Sequence, residues 1–253
     1  MGRMTDTVKV LLIINVIFFV GTYFVGGPNI ANNPAYNWFS LFYFENPNFG
    51  VWQVLTHMFM HGSFMHILFN MYALWAFGSP IEQYLGQQKF LFFYFSCGIG
   101  AAIIHSLVNY FHVQTGFNAL LEAGMSPMAI QDLLETGKTS SSLVSNVPTN
   151  ILQNMFTSFH TPAVGASGAI YGILVAFGML FPNVALFLLF VPVPIKAKIF
   201  IPILIAIDLF SGLTGYSLFG GGIAHFAHIG GALFGFIMMW YWKKNHFDQH
   251  RWD

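Results

Sequence analysis

Three groups of side chains in this sequence have the types and spacing that acyl transfer needs. The first is Ser167, set in Gly165-Ala166-Ser167-Gly168-Ala169-Ile170-Tyr171-Gly172, where small neighbours let a helix or a substrate backbone come close to the hydroxyl. The second is His228, in Ala224-His225-Phe226-Ala227-His228-Ile229-Gly230-Gly231, an imidazole able to take the serine proton near neutral pH. The third is His66 with Asn70, four residues apart and so on one helix face, where two neutral donors can stabilise an oxyanion. Each has a plainer reading alone, since small residues at four-residue spacing are common helix contact surfaces in membranes. A nucleophile, a base and a donor pair on three different helices make a combination that packing does not call for.

Other histidines suggest a metal, and the pattern argues against one. His57 and His61 are four apart, but the Glu of a zinc-binding HExxH helix is missing and no carboxylate flanks them. No metal or other cofactor is therefore expected, and haem ligation has no special support. His225, one turn from His228, is read as structural.

The elements that must hold these groups are membrane spans. Hydrophobic residues make up 56% of the chain and charged residues 7%, where a soluble domain has about a quarter charged. A span needs roughly 20 mainly apolar residues to cross about 30 Å of hydrocarbon. Six segments qualify: residues 8–26, 55–78, 89–111, 165–182, 199–215 and 223–242. The first is too long for a signal peptide and lacks a cleavage site, so it is read as a retained helix. The second is diluted by His57, His61, His66 and Asn70, the fourth by glycine. Polar groups in a span should face the bundle interior or a water-filled cavity. The expected fold is an all-α, six-helix membrane bundle, a single domain over 1–253. The net charge is zero, so lipid rather than nucleic acid is the expected surroundings. Cys97, the sole cysteine, excludes an intramolecular disulfide and is read as a packing residue.

With six spans, every basic residue except Lys138 falls on the side of the two termini, which the positive-inside rule makes cytoplasmic. The expected location is thus a cytoplasmic (inner) membrane with both termini in the cytoplasm. Residues 27–54 become a large aromatic-rich outer loop lying at the membrane surface. Residues 112–164 become an outward-facing insertion, with a short helix at 126–134 capped by Ser126 and a break at TGKTSSS. The fourth and sixth spans enter from the same side, which puts Ser167 and His228 at a similar shallow depth. Residues 183–198, broken by Pro192 and Pro194, are expected to run along the inner interface. Phe219 and Gly220 to Gly222 offer a mobile flap ahead of His228.

The motifs HGSFMHILFNMYALWAFG (61–78), Glu82 and Gly86, GASGAIYG (165–172) and AHIGG (227–231) occur in the order and helices found in the rhomboid intramembrane serine proteases, which this sequence resembles. The resemblance implies Ser167 as nucleophile and His228 as general base and acid, a dyad without a carboxylate. It implies His66, Asn70 and the Ser167 backbone N–H as the oxyanion hole. Tyr171 would support the histidine ring, with Gly165 in a supporting position beside the serine. It further implies transmembrane segments of membrane proteins as substrates, cut near the outer face. It leaves the oligomeric state open. One departure is Trp52-Gln53, where many members carry Trp-Arg.

Among the remaining polar residues, Asp208 in the fifth span is read as structural, with Ser211 as a partner. His105 and Asn109 are read as an interhelical contact, and Glu82 as pinning helix ends. The rival functions are an inactive relative that binds membrane proteins without cutting them, and a channel or transporter lined by the histidines.

Overall fold

The computed structural model describes residues 3–27, 33–139, 142–188, 191–216 and 224–245, without the side chains of 187–193. Gly220 to Gly222, expected as a flap, and part of the TGKTSSS break lie outside the described residues.

Helix α1 (Asp6–Gly26) is apolar, and its outward residues, among them Ile17, Phe24 and Val25, are exposed. Its first turn carries no side-chain cap of its own. Glu82 of α5 (Ser79–Leu85) supplies one: its carboxylate accepts from the backbone N–H of Thr7 at 3.1 Å and Val8 at 3.0 Å, and from the Thr5 hydroxyl. A carboxylate at a helix N-terminus satisfies orphan donors and opposes the helix dipole. The pinning role expected of Glu82 is therefore real, and its object is α1.

The region expected as the second span divides in two. Short turns come first, α3 (Gln53–Thr56) and a 3-10 turn (His57–Phe59). The chain then restarts at Ser63, whose hydroxyl accepts from the His66 N–H at 3.2 Å, and runs as α4 (Phe64–Ala73), a π turn (Leu74–Gly78) and α5. This helical run ends at Gly86, whose φ of +77° suits glycine. His57 and His61 thus precede the long helix instead of lying within it. A hydropathy window of span length does not mark that break, because it averages His61, Gly62 and Ser63 with Met58, Phe59 and Met60 before them and the apolar helix after them.

Helix α6 (Gln87–Glu122) holds 36 residues, about 54 Å at 1.5 Å per residue, well beyond a ~30 Å hydrocarbon core. Residues 112–122, expected in the insertion, continue this helix. Against its C-terminal part pack α7 (Pro127–Thr136), a 3-10 turn (Ser142–Asn146) and α8 (Thr149–His160). The Ser126 hydroxyl accepts from the Ala129 N–H at 3.3 Å, and Pro127 holds the first helical position, as the sequence suggests.

Helices α9 (Ser167–Leu180), α11 (His225–Lys244) and α6 all pack against one another, and α10 (Ala197–Thr214) packs on both α9 and α11. Between α9 and α10, within the stretch expected along the inner interface, β1 (Ala185–Leu188) and β2 (Val191–Lys196) pair antiparallel, Ala185 with Lys196 and Leu186 with Ile195. Pro192 and Pro194 are two apart and so leave their missing N–H groups on one edge of a two-stranded ribbon, where none is needed.

Among the described residues, three helices are both long and apolar enough to cross a membrane: α1, α6 and α10. Helix α9 is apolar but has 14 residues.

The segment between α1 and α4, which carries α2 (Pro34–Phe39) ahead of α3, is held by side chains. Gln53 is fully buried; its amide donates to the carbonyls of Asn48 (2.7 Å), Asn37 (3.0 Å) and Trp38 (3.3 Å) and accepts from the Phe42 N–H (3.2 Å). The amide that stands in place of arginine is the centre of this loop. Leu41 and Ala163 exchange a pair of backbone hydrogen bonds, both 2.9 Å, tying the loop to the segment just before Ser167.

Candidate active site

Helices α9 and α11 meet backbone to backbone, and glycine makes this possible. A Cβ on Gly231 would fall 1.8 Å from the Gly168 carbonyl oxygen, and one on Gly235 would fall 2.6 Å from Gly172 Cα. The pairs 168/231 and 172/235 advance together by four, so the two helices run in the same direction. On the other side, Gly168 lies against Ala101 and Gly172 against the buried Cys97 of α6, which confirms packing as the role of that cysteine. Van der Waals contact and close approach hold helices together where lipid leaves little hydrophobic drive.

This seam brings together the first turns of both helices. Ser167 opens α9 and His228 lies in the first turn of α11, with His228 Nε2 2.8 Å from Ser167 Oγ. The Tyr171 ring stacks on the His228 imidazole at 4.2 Å between centroids and 11° between planes. The preceding loop is shaped by Gly165, whose φ of +123° is unavailable to most L-residues. Its N–H donates to the His57 carbonyl at 2.9 Å, so the turns ahead of α4 hold the approach to the serine.

The oxyanion candidates divide. His66 Nε2 stands 2.8 Å from where a Gly165 Cβ would sit, and that point is 3.6 Å from Ser167 Oγ, so His66 faces the serine across the glycine. Asn70 is buried and donates one amide N–H to the His66 carbonyl of its own helix at 2.9 Å. The N–H groups of Ser167, Gly168 and Ala169 have no acceptor within α9, whose ladder begins with Ile170 on Ala166. Such a helix start is electropositive and suits a developing oxyanion.

Other polar residues find partners that differ from the expected ones. His105 and Asn109 contact each other along α6 at 3.1 Å, within one helix. His57 Nδ1 donates to the Gln53 carbonyl at 2.8 Å. His61 packs edge-on to His66 at 5.0 Å between ring centroids. Asp208 does not use Ser211. Its Oδ1 lies 2.5 Å from His225 Nδ1 and 3.2 Å from His228 Nδ1, and its Oδ2 accepts from the Tyr171 hydroxyl. The resemblance implies a dyad without a carboxylate, and no Asp or Glu is close to His228 in the chain; Asp208 is 20 residues away and arrives on α10.

Asp208, His225 and His228 offer three ligand atoms within 4.8 Å of one another. Two ligands of a tetrahedral zinc at about 2.1 Å stand about 3.4 Å apart. The 2.5 Å between Asp208 and His225 is well inside that, and is the spacing of a charge-assisted hydrogen bond.

The rhomboid domain model matches residues 48–245. The presenilin-associated rhomboid-like protein, mitochondrial, of Homo sapiens is 29% identical over 194 residues, 76% of this chain and 38% of that protein. Rhomboid protein 1, mitochondrial, of Saccharomyces cerevisiae is 26% identical over 191 residues, 76% of this chain and 42% of that protein. The chain therefore matches well under half the length of each of these relatives. Their mitochondrial names overturn the expectation of a cytoplasmic membrane with cytoplasmic termini: the charge rule reads only which loops share a side, and cannot tell one membrane from another. With a domain model spanning most of its length, and with the motif-bearing helices assembled around Ser167 and His228, the chain belongs to the rhomboid family.

Proposed function

We propose that this protein is an intramembrane serine endopeptidase that cuts transmembrane segments of membrane proteins, with Ser167 as nucleophile and His228 as general base and acid. The observation that carries this reading is the 2.8 Å contact between His228 Nε2 and Ser167 Oγ at the shared open end of α9 and α11. Ser167 Oγ attacks the scissile carbonyl as its proton passes to Nε2; the oxyanion that forms meets the first N–H groups of α9 and the His66 ring, with Asn70 holding the α4 backbone beside it. The protonated His228 then gives its proton to the leaving amine. Water, deprotonated by the same imidazole, releases the acyl group from the serine.

In this reading the Phe64–Leu85 run, α9 and α11 complete a six-helix bundle with α1, α6 and α10 over one domain, and the α6 extension with α7 and α8 stands outside it. The names of the relatives favour a mitochondrial membrane.

In purified protein with a model transmembrane substrate, Ser167→Ala and His228→Ala each lower cleavage by about 10⁴-fold or more while the melting transition stays. A fluorophosphonate probe labels the wild type and not Ser167→Ala. Cleavage at the wild-type rate by either variant overturns the dyad. A channel lined by the histidines would conduct in liposomes irrespective of Ser167.

A further inference from the structure

Asp208 has more partners than a structural carboxylate needs. It is buried, with 5% of its surface exposed, and it is the described acidic group that touches the site. Its two oxygens reach three side chains on two other helices: Tyr171 on α9, and His225 and His228 on α11. The Tyr171 hydroxyl is held by Oδ2, and the same Tyr171 ring lies flat on His228, so one carboxylate fixes both the edge and the face of that imidazole.

The chemistry requires one tautomer. For Nε2 to receive the Ser167 proton it must be unprotonated, and in neutral imidazole the hydrogen then lies on Nδ1. In this structure Nδ1 points at Asp208 Oδ1, 3.2 Å away. The acceptor selects the tautomer that the serine needs, and its negative charge favours the imidazolium that forms when the proton arrives. His225 Nδ1 sits on the same oxygen at 2.5 Å and so takes a share of it.

We propose that Asp208 is a positioning residue for His228, accepting its Nδ1–H and stabilising its protonated form, and that His225 competes for the same carboxylate oxygen. This rests on the dyad reading and extends it to a Ser-His-Asp relay gathered from three helices. The other titratable groups facing His228 are Ser167 and Tyr171 from α9, His66 from α4 and His105 from α6.

The test uses the full chain in liposomes with a model transmembrane substrate, measuring kcat and KM against pH. Asp208→Asn lowers kcat by about 10²-fold or more, leaves KM within about twofold, and moves the acid limb of the profile to lower pH, because the imidazole holds its proton less tightly. His225→Ala moves that limb the other way, to higher pH, because the whole carboxylate now serves His228. A purely structural Asp208 would lower the amount of folded enzyme without moving the limb. Wild-type kcat and an unmoved limb in Asp208→Asn overturn the proposal, as does a limb that moves to lower pH, or not at all, in His225→Ala. The second variant keeps the test decisive if Asp208→Asn folds poorly. Ser167→Ala run alongside separates the two levels: persistent cleavage removes the dyad and the relay together, whereas a silent Ser167→Ala with a wild-type-like Asp208→Asn removes Asp208 alone.

Discussion

The seam between α9 and α11 and the module built by the end of α6 with α7 and α8 are both helical, and they are held by opposite means. At the seam, glycines let backbones touch and leave no room for one added methyl group. In the α6–α8 module, large side chains fill the space: Leu120, Ile130, Leu133, Leu134, Met155 and Phe159 are buried around Tyr43 and Val113. Under the proposed placement of the seam in the bilayer and of the module outside it, the difference follows from the solvent. In lipid, burying a leucine gains little, so helices associate through close fit and polar contacts. In water, removal of apolar surface contributes about 25 cal/mol per Å².

The contrast can be broken most severely at Gly231. Gly231→Val has no place for its side chain against the Gly168 carbonyl and should destabilise the seam by about 3 kcal/mol or more, abolishing fluorophosphonate labelling of Ser167. Retained labelling at the wild-type melting temperature would show that α11 can slide, and that the seam is looser than its glycines imply. A smaller and local effect is expected at Met155, fully buried over Gly116 of α6. Met155→Ala should cost about 2 to 3 kcal/mol, seen as faster hydrogen exchange in α7 and α8, with the labelling rate of Ser167 unchanged. Loss of labelling would mean that module and site are coupled. The smallest effect is at Ser126, where Ser126→Ala removes the α7 cap for about 1 kcal/mol and should raise exchange only in the first turn of that helix. Exchange that spreads beyond α7 would mean that the module unfolds as one unit.

These two regions were not equally legible. The nearness of Ser167 and His228 could be read from sequence because both lie at the start of glycine-bearing segments that enter from one side. The boundary of α6 could not, since Val113, Phe117, Leu120 and Leu121 keep one apolar face while His112, Gln114 and Asn118 lower the hydropathy that marks a span. The break at 60–63 was hidden for another reason: His61, Gly62 and Ser63 are a turn and cap signal, but the apolar stretches on both sides make 55–78 look like one span. Asp208 was visible as an ionisable group at depth, but its partners are 17 to 37 residues away on other helices and no local pattern connects them. Gln53 was noted for the arginine it replaces; its hydrogen bonds to four different backbone groups depend on a loop path that no periodicity encodes. The hairpin at 185–196 was read as an irregular stretch because two prolines normally argue against a strand, and only their shared edge permits one.

The paired hydrogen bonds between Leu41 and Ala163 bear on how this chain can be altered. They fix the polypeptide two residues before Gly165, so whatever length of chain leaves α6 and comes back along α8 is registered again before it reaches the serine. Within the excursion from 123 to 148, Ile130, Leu133, Leu134 and Val147 pack with Leu120 of α6 and Met155 of α8, apart from the glycine seam. Tags, fluorophores or foreign recognition modules can be grafted there, at Gly124 or Gly137 for example, and the nucleophile will keep its place.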